Sequence, residues 1–188
     1  MGAAPRGPAP RGPAPRGRPS TPRFRVGLIS DTHGLLRPEA KAFLQHSDCI
    51  LHAGDIGSSS ILRELRLLAP LYAVRGNNDT ESWAARIPER RTLRMGGVRF
   101  YLVHDRTELA ERPAPSGSRL IITGHSHKPA IEARGDVLCI NPGSAGPRRF
   151  SLPIAAGEIE IRGGRLQVRL LDLTTGRPLP GLSATLAL

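Results

Sequence analysis

An apolar run that stops on an acid and an imidazole constrains this chain more than any other feature. Phe24-Arg25-Val26-Gly27-Leu28-Ile29 is followed at once by Ser30-Asp31-Thr32-His33-Gly34. The succession returns where Cys49-Ile50-Leu51-His52 meets Ala53-Gly54-Asp55, and where Leu71-Tyr72-Ala73-Val74 meets Gly76-Asn77-Asn78-Asp79. It returns again where Val98 to Val103 meets His104, and where Leu120-Ile121-Ile122-Thr123 meets Gly124-His125-Ser126-His127. Short apolar runs bounded by turn residues read as buried strands. Each polar cluster therefore sits at the carboxyl end of a strand, and we expect the clusters to converge on one place.

The stretches between these runs set the fold class. Pro38 followed by Glu39 to Gln45 predicts a short helix with proline in its first turn. Ser58-Ser59-Ser60 caps a second helix whose Ile61, Leu62, Leu65 and Leu68 share a face, and Pro70 ends it. After this βαβαβ start the pattern changes to hairpins. Arg91 to Arg94 and Val98 to Val103 flank Met95-Gly96-Gly97, and Ala130 to Ala133 pairs with Val137 to Ile140 across Arg134-Gly135-Asp136. Glu158 to Ile161 and Leu166 to Leu171 turn about Gly163-Gly164, and no element is predicted after Thr174. Strand–helix alternation followed by hairpins predicts an α/β protein with two packed sheets and helices outside. In such sheets ligands bind beyond the carboxyl ends of the strands, where the clusters lie.

Composition narrows the function classes. The net charge of +11 invites a nucleic-acid reading, but Arg6, Arg11, Arg16, Arg18 and Arg23 supply five of those charges with no acid beside them. The rest of the chain is then only mildly basic, and with one Trp, two Tyr and four Phe it has few aromatics for stacking single strands. Residues 1–23 read as a disordered Pro/Ala/Arg/Gly repeat, capable of no more than weak polyanion contact. The expected organisation is that tail, one domain over residues 24–173, and a C-terminal tail over residues 174–188. No apolar run is long enough to span a membrane. Cys49 and Cys139 lack CxxC spacing and read as two small buried thiols in a reducing, cytoplasmic setting.

The polar set itself comprises Asp31, His33, Asp55, Asn77, Asn78, Asp79, His104, His125 and His127, and includes four of the six histidines. Imidazole, carboxylate and an amide oxygen together suit borderline divalent ions. On an extended backbone the alternate residues of Asp-x-His and His-x-His point the same way. Gly54, Gly76 and Gly124 precede candidate ligands and would let the backbone turn tightly toward the ions. So many donors exceed what one tetrahedral ion needs, and two ions sharing a carboxylate is the economical count.

The series Asp-x-His, Gly-Asp, Gly-Asn-x-Asp, His, Gly-His-x-His resembles the calcineurin-like metallophosphoesterase superfamily. With Asn141-Pro142-Gly143-Ser144 it is most similar to the YfcE-like phosphodiesterases, over about Arg25 to Asp172. The resemblance implies a four-layer α/β/β/α sandwich with two mixed sheets. It implies that Asp31, His33 and His127 hold one divalent ion, that Asn77, His104 and His125 hold another, and that Asp55 bridges. Manganese is the first expectation, with nickel, iron or zinc as alternatives. A metal-bridging hydroxide would then attack a small phosphate ester in line. The alternative implied by the same family is a non-catalytic scaffold for protein partners, and a homo-oligomer is compatible with either.

Two positions depart from the pattern. Many members of the superfamily have a leaving-group-protonating histidine after the motif asparagine; this chain has Asn78, an amide that cannot donate a proton as a general acid. Asn78 is nonetheless the one candidate here for a catalytic role. His104 is followed by Asp105, where close relatives usually have glycine. Asp79 is expected to orient a ligand, His52 to pack at its strand end, His46 to be solvated, and Asn141 and Ser144 to fix backbone near the site. Arg75, Arg106, Arg148 and Arg149 are candidates for phosphate contact or simple surface residues.

Overall fold

The computed structural model describes residues 23–188. The expected tail falls outside them except for Arg23, which opens the first strand. That strand, β1 (Arg23–Ile29), is followed by α1 (Pro38–Leu44), β2 (Cys49–His52), α2 (Ser59–Leu68) and β3 (Leu71–Ala73). The second half contributes β4 (Arg90–Met95), β5 (Val98–Val103), β6 (Leu120–Ile122), β7 (Ala130–Arg134), β8 (Val137–Asn141), β9 (Ala155–Arg162), β10 (Arg165–Asp172) and β11 (Arg177–Ala187).

These strands form two mixed sheets. The first has the order β11-β10-β9-β1-β2-β3 and the second β4-β5-β6-β8-β7. In the first, β1, β2 and β3 run parallel, with the β9–β10–β11 meander added antiparallel to β1. In the second, β5, β6 and β8 run parallel and the edge strands β4 and β7 run against them. The hairpins expected from the glycine turns are β4–β5, β7–β8 and β9–β10. The patterning predicts no element after Thr174, yet β11 lies there, paired along β10 from Arg165↔Ala187 to Asp172↔Arg177. It is an edge strand carrying Pro178 and Pro180, placements that proline tolerates only where one side of the ladder is free.

Burial divides the side chains into layers. Val26, Leu28 and Leu51 from the first sheet meet Phe100, Leu102, Leu120 and Ile122 from the second in the central core. Each such aliphatic or aromatic side chain contributes about 1.5–3 kcal/mol on burial. The outer face of the first sheet packs Ile29 and Ile50 against Ala40 and Leu44 of α1 and Ile61, Leu62 and Leu65 of α2. The Ser58 hydroxyl accepts from Ser60 N–H at the start of α2, as its sequence predicts. The fourth layer is thin. Tyr101, Val103, Ile121 and Cys139 on the outer face of the second sheet are covered by Leu109 and Ala114, near the 3₁₀ turn Arg106–Leu109, rather than by a full helix. No helix among the described residues is long and apolar enough to cross a membrane.

Parallel pairing in both sheets is what positions the site. The carboxyl ends of β1, β2 and β3 and those of β5 and β6 lie at the same end of the sandwich, facing one another across the core.

Candidate metal centre

The loops that follow these strands are laced together before any side chain is considered. Asp31 N–H donates to Gly54 O, His33 N–H to Asp55 O and Gly34 N–H to Ile56 O, at 3.0, 2.9 and 2.9 Å. Gly124 N–H donates to His104 O at 2.9 Å, joining the loops of the second sheet. Asp79 accepts from three backbone N–H groups: Ile56 at 3.1 Å, Gly57 at 2.8 Å and Gly76 at 2.9 Å. A single buried carboxylate thus ties the β3 loop to the β2 loop; it acts on backbone, whereas its sequence position suggests a part in orienting a ligand side chain.

The candidate ligands converge, though not by the route the spacing predicts. Asp31, His33, Asp55, His125 and His127 all have positive φ, between 44° and 67°. Asp-x-His and His-x-His are therefore not extended pairs with alternate side chains aligned. Their residues turn through the left-handed region, a conformation that costs a non-glycine residue on the order of 1 kcal/mol or more and concentrates at functional sites. Among non-glycine described residues, only Phe150 otherwise has positive φ. Gly54 does turn with φ 99°, but Gly76 and Gly124 serve a different need. A Cβ at Gly76 would lie 2.1 Å from Asp55 Oδ1, and one at Gly124 2.1 Å from Ser30 Oγ. Gly76 thus supplies space for the Asp55 carboxylate, and Gly124 for the Ser30 hydroxyl and Asp31 carboxylate, rather than rotation.

Donor atoms of Asp31, His33, Asp55 and His127 all lie within 4.8 Å of one another. His127 Nε2 is 3.3 Å from Asp31 Oδ1 and 3.2 Å from His33 Nε2. On the other side of Asp55, His104 Nε2 approaches Asp55 Oδ2 at 3.4 Å, while His33 Nε2 lies 3.8 Å from the same oxygen. His125 Nδ1 is 3.0 Å from Asn77 Oδ1, and the His104 and His125 rings meet edge to face with centroids 5.3 Å apart. Four of the seven expected ligands thus form one tight group, His104 joins it through Asp55, and Asn77 and His125 lie beyond His104 through the ring contact. Asn78 donates from its backbone N–H to Asp55 Oδ1 at 2.9 Å and from its amide to Oδ2 at 2.6 Å.

The cluster's electrostatics are those of a cation site. Asp31 Oδ2 and His104 Nε2 are buried polar atoms without a hydrogen-bond partner among the described residues. Carboxylate oxygens and imidazole nitrogens left in this state are what a borderline divalent ion would satisfy, so the donor set fits such ions. Burial pushes the Asp31 carboxyl up to about 6, with Asp55 repulsion adding to it and Ser30, His104 and the His125 N–H opposing. Burial also acts on Asp55, but His104 and Asn78 outweigh it and hold that carboxyl well below its usual range. At His104 burial is likewise outweighed, by the Asp55 hydrogen bond and the charges of both carboxylates, and its imidazole is raised. Burial lowers His33 and His127, favouring the neutral imidazole that can coordinate.

The supporting residues behave as expected. His52 is fully buried; its Nδ1 accepts from Gly54 N–H at 3.2 Å, which leaves Nε2–H to donate to Thr32 Oγ1 at 3.0 Å. Burial brings it down to about 3, so it is a neutral brace. His46 is exposed beside Gln45. Asn141 donates to Gly124 O at 2.6 Å and Ser144 to Asp31 O at 2.9 Å, each fixing a ligand loop. Arg75 pairs with Glu89 at 2.6 Å and Arg106 with Glu132 at 2.5 Å. Sequence reasoning missed the contact of Asp105 with His125, 3.7 Å between Oδ2 and Nε2, although the departure at Asp105 was its available signal. An open cavity of about 370 Å³, lined by Arg75, Asn77, Glu89, His104, Asp105 and His125 among others, gives access to this side of the cluster.

Two mixed sheets that deliver carboxylates and imidazoles to one end define a metal-binding α/β sandwich. Residues 24–163 match the calcineurin-like phosphoesterase superfamily domain, and the chain belongs to that family. It is 34% identical over 166 residues to a probable metallophosphoesterase of Methanothermobacter thermautotrophicus, covering 81% of this chain and 94% of that one. It is 31% identical over 137 residues to a phosphodiesterase of Methanocaldococcus jannaschii, covering 63% of this chain and 82% of that one. Among solved structures, the fold is similar to Vacuolar Protein Sorting 29 of Cryptosporidium parvum, with a TM-score of 0.72, 19% identity and coverage of 88% and 98%. It is also similar to YfcE, a phosphoesterase from E. coli, with a TM-score of 0.64, 20% identity and coverage of 87% and 99%.

Proposed function

We propose that this chain is a phosphodiesterase dependent on two divalent ions, acting on a small phosphate ester. Asp31, His33 and His127 would hold one ion, Asn77, His104 and His125 would hold the other, and Asp55 would be shared between them. The observation that carries this reading is the position of Asp55 Oδ2, 3.8 Å from His33 Nε2 and 3.4 Å from His104 Nε2, between two imidazole groups. When bound, a pair of such ions supplies Lewis acidity toward phosphoryl oxygens and a nucleophile available near neutral pH. Manganese heads the candidates, followed by nickel, iron and zinc, which share the preference for mixed nitrogen and oxygen donors.

The residues of the chain do the positioning. His104 Nδ1–H donates to Ala53 O at 2.7 Å, which fixes the tautomer and presents Nε2 to the site. Asn78 locks both oxygens of Asp55 and so acts through that carboxylate rather than as a proton donor. A catalyst of this kind favours esters with good leaving groups, such as aryl phosphates, whose departing oxygen needs no protein acid. The buried free thiols Cys49 and Cys139 support placing the protein in the cytoplasm. The scaffold alternative draws on likeness of fold, which the enzyme reading shares; the full ligand set favours the enzyme.

The test is hydrolysis of bis-aryl and mono-aryl phosphates across a panel of divalent ions, with Asp55→Asn and His104→Ala alongside. The expected result is metal-dependent turnover with the diester preferred, lost in both variants while the circular dichroism spectrum is kept. Variants as active as the parent would refute the assignment.

A further inference from the structure

Each imidazole in the centre must present one nitrogen to the site, and its other nitrogen must go somewhere. For His104 the answer is a backbone carbonyl, Ala53 O, at 2.7 Å from Nδ1. His125 is the complementary case. Its Nδ1–H donates to Asn77 Oδ1 at 3.0 Å, and these two atoms, from loops of different sheets, would share an ion once that proton moves to Nε2. Its Nε2 points outward, and the group it meets is the Asp105 carboxylate, with Oδ2 at 3.7 Å.

Asp105 is itself held. Its Oδ1 accepts from Thr107 N–H at 2.8 Å, capping the 3₁₀ turn Arg106–Leu109 and leaving Oδ2 for the imidazole. The two oxygens therefore have separate tasks, one inside its own loop and one across to the β6 loop. Because Asp105 directly follows His104, the end of β5 supplies both a candidate ligand and the partner of another. The contact is between partly exposed groups, with side-chain exposures of 45% for His125 and 29% for Asp105. His125 is the most exposed of the histidines with an ion-pair contact in the cluster, so it is the ring most in need of an orienting partner.

We propose that Asp105 is a positioning residue for the centre. Its carboxylate, 3.7 Å from His125 Nε2, electrostatically favours the tautomer protonated at that nitrogen, which frees Nδ1 to bind beside Asn77 Oδ1, and so sets the affinity for an ion that Asn77, His104 and His125 would hold. This rests on the two-ion reading above. A carboxylate that receives the outer N–H of a ligating histidine typically raises metal affinity about 10–100-fold. Asp105 makes no hydrogen bond or ion pair with Asp31, His33 or His127 among the described residues, so affinity at that group is expected to be kept.

The experiment is a manganese titration of the metal-free full chain by calorimetry and electron paramagnetic resonance. The parent, Asp105→Ala, Asp105→Asn, His125→Ala and the Asp105→Ala/His125→Ala double variant are compared. The parent is expected to bind two equivalents and to show the signal of a coupled manganese pair. Asp105→Ala is expected to keep one site unchanged, weaken the other about 10–100-fold and lose the coupled signal at limiting metal. Asp105→Asn, which retains an acceptor oxygen without the charge, recovers part of that affinity. In the double variant the alanine at 105 adds nothing to His125→Ala, since Asp105 acts only through that ring. Two sites of parental affinity in Asp105→Ala would overturn the proposal and leave the two-ion reading intact. Equal weakening of both sites, or additive losses in the double variant, would assign Asp105 a general structural role and overturn it as well. A parent that binds a single equivalent would overturn the two-ion reading and the proposal together.

Discussion

Asp31→Asn is expected to make the metal-free protein more stable and the metal-loaded protein less stable. The Asp31 side chain is fully buried, with Oδ2 unpartnered among the described residues. Burial carries its carboxyl from 3.8 to about 6, which amounts to about 3 kcal/mol of destabilisation once the group is ionised in the folded, metal-free state. The sign follows from proton binding. Between pH 3.8 and about 6 the folded chain retains a proton that the unfolded chain has released, so stability falls as pH rises through that window and the full cost stands above it. An asparagine can still accept the His125 N–H that Asp31 Oδ1 receives at 3.3 Å, but it carries no charge to desolvate. Urea unfolding in chelator should show parent and variant of equal stability near pH 3.5, and the variant ahead by about 3 kcal/mol at pH 7.5. With manganese at a hundredfold excess over its dissociation constant, the parent should gain about 2.7 kcal/mol per ion, and the variant much less. A variant no more stable than the parent in chelator at pH 7.5, or a difference independent of pH, would refute the reasoning.

Two further substitutions test the support of the site. Asp79→Ala removes the acceptor of three backbone N–H groups and should cost about 3 kcal/mol or more of stability in urea, with looser metal binding as the loops part; a loss under about 1 kcal/mol would contradict its role as the tie between loops. Gly76→Ala would put a methyl group 2.1 Å from Asp55 Oδ1. Isothermal titration should therefore show weakened binding of both ions, whereas a mild effect confined to stability would mean that Asp55 can move aside.

The strands that carry the centre were legible because each is a short apolar run closed by a polar turn. Helix α2 was legible from its serine cap and shared apolar face. Strand β11 was not: prolines at 178 and 180 argue against a strand, and only its place at a sheet edge accommodates them. The thin layer over Tyr101 and Ile121 was equally hidden, since sequence patterning says which side chains seek cover but not how little covers them. At the site, residue identities were readable and local conformation was not. Extended alternation was a sound expectation for Asp-x-His, but left-handed backbone at Asp31, His33, Asp55, His125 and His127 is set by the loop network around them. Asn78 illustrates the same limit. Its chemistry excluded an acid, while its actual partner, Asp55, lies 23 residues away in the chain and is supplied by the β2 loop.

The central claim is that Asp55 joins two ion sites, and metal stoichiometry tests it most directly. Chelator-stripped protein reloaded with manganese and freed of excess should contain two ions per chain by elemental analysis. His33→Ala and His104→Ala should each contain about one, and Asp55→Asn fewer than either. One ion in the parent, or two retained in both histidine variants, would contradict the account.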